Sequence, residues 1–125
     1  MKKDIAVYSF LLIALVLFDR VLKLIFMSNA SYNSGGIFGI FSDSRLIFIL
    51  FSLLFIVLLI FSFFRFPRER LGITLILAGL FPLLIDRIFF SGAIDFIHLP
   101  FIPLFNLGDV FIVLGVLILL VRSIT

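Results

Sequence analysis

The sequence predicts an all-α membrane protein: a four-transmembrane-helix bundle with short extracytoplasmic loops and both termini cytoplasmic. Three observations predict it. The chain is 64% hydrophobic and 14% charged, against ~45–50% and ~25% in a soluble domain. Four separate stretches reach the ~20 apolar residues that a bilayer crossing needs. Lys and Arg gather in alternate connections between those stretches.

Composition settles the class first. So little polar surface cannot cover a water-soluble globule of this size. The 125 residues allow one integral membrane domain, residues 1–125. With no cysteine, disulfides, Cys-ligated metals and a thiol nucleophile are excluded. The net charge of +3 is no nucleic-acid footprint, because no basic face interleaves with exposed aromatics.

The spans follow in order. Residues 5–27 are apolar but interrupted by Asp19, Arg20 and Lys23. Residues 46–64 carry no charge. Residues 71–90 are charged only near their end, at Asp86 and Arg87, and contain Pro82. Proline removes a backbone hydrogen bond, so a kink is expected there. Residues 104–121 hold Asp109 near their start. A barrel would show alternating ~10-residue strands instead. Lys2 and Lys3 before an apolar run resemble a secretory leader. The run is long for one and no clean cleavage site follows, so it is read as a retained span.

Orientation comes from the positive-inside bias. Lys2, Lys3, Arg65, Arg68, Arg70 and Arg122 fall on one side, and the opposite loops hold only Arg45. The first side is then cytoplasmic. Asp19, Arg20, Lys23, Asp86, Arg87, Asp95 and Asp109 all gather toward the outer surface. A charge at the bilayer centre costs ~2.5–3.5 kcal/mol on insertion scales, so this clustering asks for a reason.

Some of these residues have plain structural explanations. Asp19 and Lys23 have the spacing and orientation of a helix ion pair. Arg87 beside Asp86 fits an interfacial anchor that snorkels to headgroups. Asn33, Gly35 and Gly36 read as a turn. His98 stands alone, and no cluster suggests a metal or a cofactor. Asp95 and Asp109 lack adjacent basic residues, and Asn106 and Gly108 give Asp109 polar, close-approach backbone. Two such acids at one rim suggest a pair sharing a proton.

Five stretches, in order, resemble the lipoprotein signal peptidase (signal peptidase II) family. They are "DRVLK" at 19–23, "NSGGIF" at 33–38, "AGLFPLLIDR" at 78–87, "AIDF" at 93–96 and "FNLGD" at 105–109. The resemblance implies a membrane aspartic endopeptidase of the bacterial plasma membrane. It would act at the outer face as a monomer, cutting signal peptides from prolipoproteins that carry a diacylglyceryl-cysteine. It also implies no cofactor, contact with membrane lipid, and sensitivity to globomycin-type inhibitors. Asp95 and Asp109 would be catalytic. Asn33, Arg87, Asn106, Asp19 and Lys23 would serve substrate binding, with Gly35 and Asp86 supporting. Asp19 and Lys23 would brace the first span against the loops.

Two departures from the family pattern stand out. Pro82-Leu83 replaces Gly-Asn, and only nine residues separate Lys23 from Asn33. A two-stranded surface cradle of ordinary ~5–6-residue strands does not fit in that segment, so the cradle is expected to be truncated or absent. The alternatives are a catalytically impaired relative that binds without cutting, which Leu83 suggests, and a small ion or proton carrier. The bare inner halves of the spans speak against the carrier.

Overall fold

The computed structural model describes residues 1–26, 31–33, 45–89, 93–95, 97–100 and 102–125. Four helices dominate: α1 Lys2–Ile25, α2 Arg45–Arg65, α3 Arg70–Phe89 and α4 Leu107–Ser123. The sequence windows match them to within a few residues. Unbroken Leu, Ile and Phe runs leave the backbone no solvent partner in lipid, and a helix satisfies every peptide group internally. α1, α2 and the stretch Pro67–Phe89 are long and apolar enough to cross a membrane.

The α2–α3 connection is written in its residues. The residue before a proline is pushed toward extended backbone, and Phe66 takes φ −124° and ψ 84°. Pro67 then opens a 3-10 turn, Pro67–Glu69, which delivers the chain into α3. Arg70 anchors that junction by donating Nε to the Phe63 carbonyl at 3.0 Å, with its guanidinium 4.9 Å from the centre of the Phe63 ring. Pro82 does not divide α3, which is helical from Arg70 to Phe89.

α3 is the central helix. It packs against α1, α2 and α4 and is buried along most of its length, whereas α1 and α2 remain largely open. Apolarity does not set this order, since α2 is more apolar than α3. Ile73, Leu77 and Leu84 of α3 meet Ile56 of α2 in the main core, with Leu12 of α1 packed against it. Phe10, Leu17, Phe51, Phe55, Phe61 and Leu120 face outward, fully apolar. Such a surface suits hydrocarbon, not water.

The α3–α4 contact is unusually close because glycines face each other across it. A Cβ on Gly79 would lie 2.3 Å from the Gly108 carbonyl oxygen, and one on Gly115 would lie 2.6 Å from the Gly72 carbonyl oxygen. Small residues let backbones approach in membranes, where dispersion replaces the hydrophobic drive. The pairing of Gly72 with Gly115 and Gly79 with Gly108 makes the two helices antiparallel.

Short strands complete the fold. β1 (Ser31–Asn33) pairs antiparallel with β2 (Ala93–Asp95), with Ser31 opposite Asp95 and Asn33 opposite Ala93. β3 (Ile97–Leu99) pairs antiparallel with β4 (Ile102–Phe105), with an irregular register. This corrects one expectation: Asn33 lies on a strand, not in a turn. The described residues from Lys23 to Asn33 hold one three-residue strand, and its partner comes from the later connection. The fourth window also starts late: residues 102–105 are strand, and α4 begins at Leu107.

Candidate active site

All the charges singled out near the outer ends of the helices, where described, lie at one end of the bundle. The opposite end holds a separate set, in which Arg70 meets Asp4 and Arg122 donates to the Arg68 carbonyl.

The first group joins α1 to α3. Lys23 Nζ lies 2.6 Å from Asp86 Oδ2 and 2.8 Å from Asp19 Oδ2. Arg20 pairs with the other oxygen, Asp86 Oδ1. Lys23, Asp19 and Asp86 are at most 1% exposed. Taking a charge out of water costs several kcal/mol, so buried charges persist only when paired. Among the described residues, two cations and two carboxylates balance here. The Asp19–Lys23 pair expected from spacing is present, and among the described residues Lys23 also joins α1 to α3 through Asp86. Arg20 was not among the candidate site residues. Its spacing of three from Lys23, which puts both on one helix face, was the signal that could have found it.

Arg87 does not snorkel. It is 4% exposed, with its guanidinium carbon 4.9 Å from the centre of the Phe48 ring on α2. A cation over an aromatic face is stabilised by the ring quadrupole, more so when desolvated. Phe48 was also not anticipated, and nothing in its surroundings in the sequence marks it among so many phenylalanines.

The second group is the start of α4. Asn106 is the N-cap: its side-chain oxygen accepts from Asp109 N at 3.1 Å, and Asp109 Oδ2 accepts from Asn106 N at 3.0 Å. This reciprocal capping box satisfies two backbone donors that the first helical turn leaves open. It also fixes the Asp109 carboxylate by one oxygen. Asn106 and Asp109 are at most 3% exposed. Lys23, Asp19, Asp86, Arg87, Asn106 and Asp109 are thus all buried at one end of the bundle, where charges are weakly screened.

β2 carries Asp95 to this region. The strand packs on α3 and beside β4, which runs directly into the Asn106 cap. Asn33 sits two positions from the Ser31–Asp95 pairing on β1. Gly35 lies outside the described residues. Leu83, where the family resemblance would have Asn, is buried against Ile112 of α4. That position is filled by apolar packing.

Comparisons with known proteins agree with the five-stretch resemblance. The family model described as signal peptidase (SPase) II matches residues 2–125. A lipoprotein signal peptidase of Clostridium novyi (strain NT) is 31% identical over 109 residues, covering 80% of this chain and 74% of that one. One from Caldanaerobacter subterraneus subsp. tengcongensis is 35% identical over 103 residues, covering 79% and 71%. A bacterial membrane enzyme solved by the in meso method at 2.3 Å resolution shares the fold, with a TM-score of 0.90 at 21% identity. That match covers 96% of this chain and 88% of that structure.

Proposed function

We infer, from a chain that belongs to the signal peptidase II family, that Asp95 and Asp109 are the two carboxylates of its aspartic peptidase site. The activity is hydrolysis: an endopeptidase cuts signal peptides from prolipoproteins. The observation that carries the site assignment is the buried Asp109 carboxylate. It is held by the capping box at the end of the bundle where β2 places the Asp95 backbone.

The chemistry follows from two carboxylates with different surroundings. Held near each other, they share a proton instead of both ionising. The ionised member takes a proton from water, which attacks the scissile carbonyl. The protonated member donates to the carbonyl oxygen and then helps the amine depart. Asp109 has one oxygen tied to Asn106 N, which leaves the other for this work. Arg87 and Lys23 supply positive charge near the oxygen where negative charge develops. Asn33 and Asn106 serve the substrate backbone.

All four helices span the membrane in this reading, with both termini cytoplasmic. The exposed apolar faces admit a signal helix from lipid, and its cleavage site reaches the charged outer end. Globomycin-type inhibitors would occupy the same place. The test is cleavage of a purified diacylglyceryl prolipoprotein by the purified protein in detergent. Wild type cuts, and Asp95→Asn and Asp109→Asn do not. A wild-type protein that bound substrate without cutting it would favour the impaired relative instead.

A further inference from the structure

We propose that Arg20 is a positioning residue of the peptidase site, holding Asp86 so that the Lys23 ammonium stays shared between Asp19 and Asp86. This rests on the reading of Asp109 as one of the two catalytic carboxylates.

The cluster's geometry carries the inference. Asp86 presents two oxygens toward α1, and a different cation takes each: Arg20 at Oδ1 and Lys23 at Oδ2. Lys23 also touches Asp19 at 2.8 Å. One ammonium therefore bridges two buried carboxylates. With Lys23 alone, two negative charges would compete for one positive charge in a medium where unpaired charge is costly. Arg20 supplies the balance. It satisfies Asp86 Oδ1, so Asp86 has no need of the whole ammonium and Asp19 keeps its share.

Where Lys23 sits matters beyond the cluster. Lys23, Asp19, Arg87 and Asp109 are all buried at the same end of the bundle, where charges are screened far less than at a surface. Displacing Lys23 toward Asp86 leaves Asp19 as an unbalanced negative charge at that end. Arg20 does this work from a more open position than its partners: its side chain is 21% exposed, whereas those of Asp86 and Lys23 are at most 1% exposed. It touches no reacting atom, so its effect on chemistry is indirect and passes through Asp86 and Lys23.

A merely structural clamp between α1 and α3 would behave differently, and charge-balanced variants separate the two. Cleavage of a diacylglyceryl prolipoprotein is followed for wild type, Arg20→Gln, Arg20→Lys, Asp86→Asn and the double variant Arg20→Gln/Asp86→Asn. Asp109→Asn serves as the control. Thermal midpoints are read in the same detergent. Arg20→Gln is expected to lower kcat about tenfold, a coupling in the usual range for residues of one ion network, with KM little changed. Arg20→Lys restores most of the loss. The double variant recovers kcat relative to Arg20→Gln, because the neutral amide that replaces the Asp86 carboxylate no longer draws the ammonium away from Asp19.

Arg20→Gln at the wild-type kcat overturns the proposal, as does a double variant slower than both singles. If Arg20→Gln does not accumulate, Arg20→Lys and the double variant carry the test, since neither leaves Asp86 as an uncompensated carboxylate. A double variant whose kcat falls below a tenth of wild type then overturns it. An Asp109→Asn protein that still cuts overturns the dyad reading itself, and this proposal with it.

Discussion

Gly79 of α3 and Gly108 of α4 meet backbone to backbone: a Cβ on Gly79 would lie 2.3 Å from the Gly108 carbonyl oxygen and 2.6 Å from Ile112 Cγ1. Neither neighbour can yield cheaply, since one is backbone and the other is packed against Leu83. Gly79→Ala therefore has to push α4 away from α3 just where α4 begins. Overpacking of this kind costs ~1–3 kcal/mol. The displaced turn contains Asn106 and Asp109, so cleavage is expected to fall by well over tenfold along with the thermal midpoint. Gly72→Ala makes the contrast. A Cβ there meets Leu119 Cδ2 at 2.8 Å and Cγ at 2.9 Å, with the Gly115 carbonyl oxygen at 3.0 Å, so it also crowds α4, but at the far end of the bundle from Asp109. The variant should lower the midpoint and leave cleavage per folded molecule near wild type. Equal losses in both variants would show that α4 is not positioned by the Gly79–Gly108 contact.

If Asp109 is catalytic as proposed, it has two jobs that substitution can separate. Asparagine keeps a side-chain oxygen for Asn106 N and so keeps the capping box, whereas alanine removes it at ~1 kcal/mol. Asp109→Asn is expected to fold like wild type and to be inactive. Asp109→Ala should be inactive and also less stable. Asp95→Asn should be inactive as well, and the double variant no worse than either single, because members of one catalytic unit are not additive. Asp86→Asn differs in kind: it leaves Arg20 and Lys23 facing a neutral group, and breaking a buried pair costs ~3–5 kcal/mol. It should lower the midpoint most among these variants while retaining measurable cleavage. Thermal unfolding in detergent beside single-turnover cleavage checks all five. An Asp109→Asn variant with wild-type turnover would remove Asp109 from the chemistry.

These roles were unequally legible in the sequence. The helices were readable because long apolar runs admit little else in a bilayer, and α1–α3 begin and end within a few residues of their windows. The Asp19–Lys23 pair was readable because it is local. The partners of Asp86 were not: Arg20 and Lys23 lie more than sixty residues away, and only packing of α1 on α3 joins them. The β1–β2 pair was hidden because three-residue strands show no period. The start of α4 had a signal that hydropathy masked. Asn106 followed three residues later by Asp109 is a capping pattern, but the apolar residues before it extended the window back to 104.

Membrane orientation is tested separately from catalysis. Reporter fusions after residue 67 and at the C-terminus should read cytoplasmic, and one after residue 34 external. The charge pattern predicts this, because Lys2, Lys3, Arg65, Arg68, Arg70 and Arg122 lie in short segments at one end, and such segments resist translocation. The structural ends agree with the grouping: Arg70 meets Asp4, and Arg122 meets Arg68. An external signal at residue 67 would invert the bundle and put the Asp109 end on the cytoplasmic side, where translocated signal peptides are not cut.

The last prediction concerns how Asp95 is held. Its backbone lies opposite Ser31 in a pair only three residues long, so its place depends on few hydrogen bonds. Antiparallel pairs alternate between positions that exchange hydrogen bonds and positions that do not. Ser31 and Tyr32 are adjacent, so one of them donates into the ladder and the other does not. Proline removes the donor and fixes φ near −65°, away from the extended value a strand needs. Of Ser31→Pro and Tyr32→Pro, at least one should lower kcat more than about tenfold, on the scale of a misplaced catalytic group. Helical content by circular dichroism should be unchanged in both, because β1 lies outside every helix. The loss should appear in kcat more than in KM, since what moves is the carboxylate and not the apolar faces proposed to admit the signal helix. If both variants turn over like wild type, the Asp95 carboxylate is positioned by something other than the β1–β2 pair, and α3, against which β2 packs, becomes the support to test next.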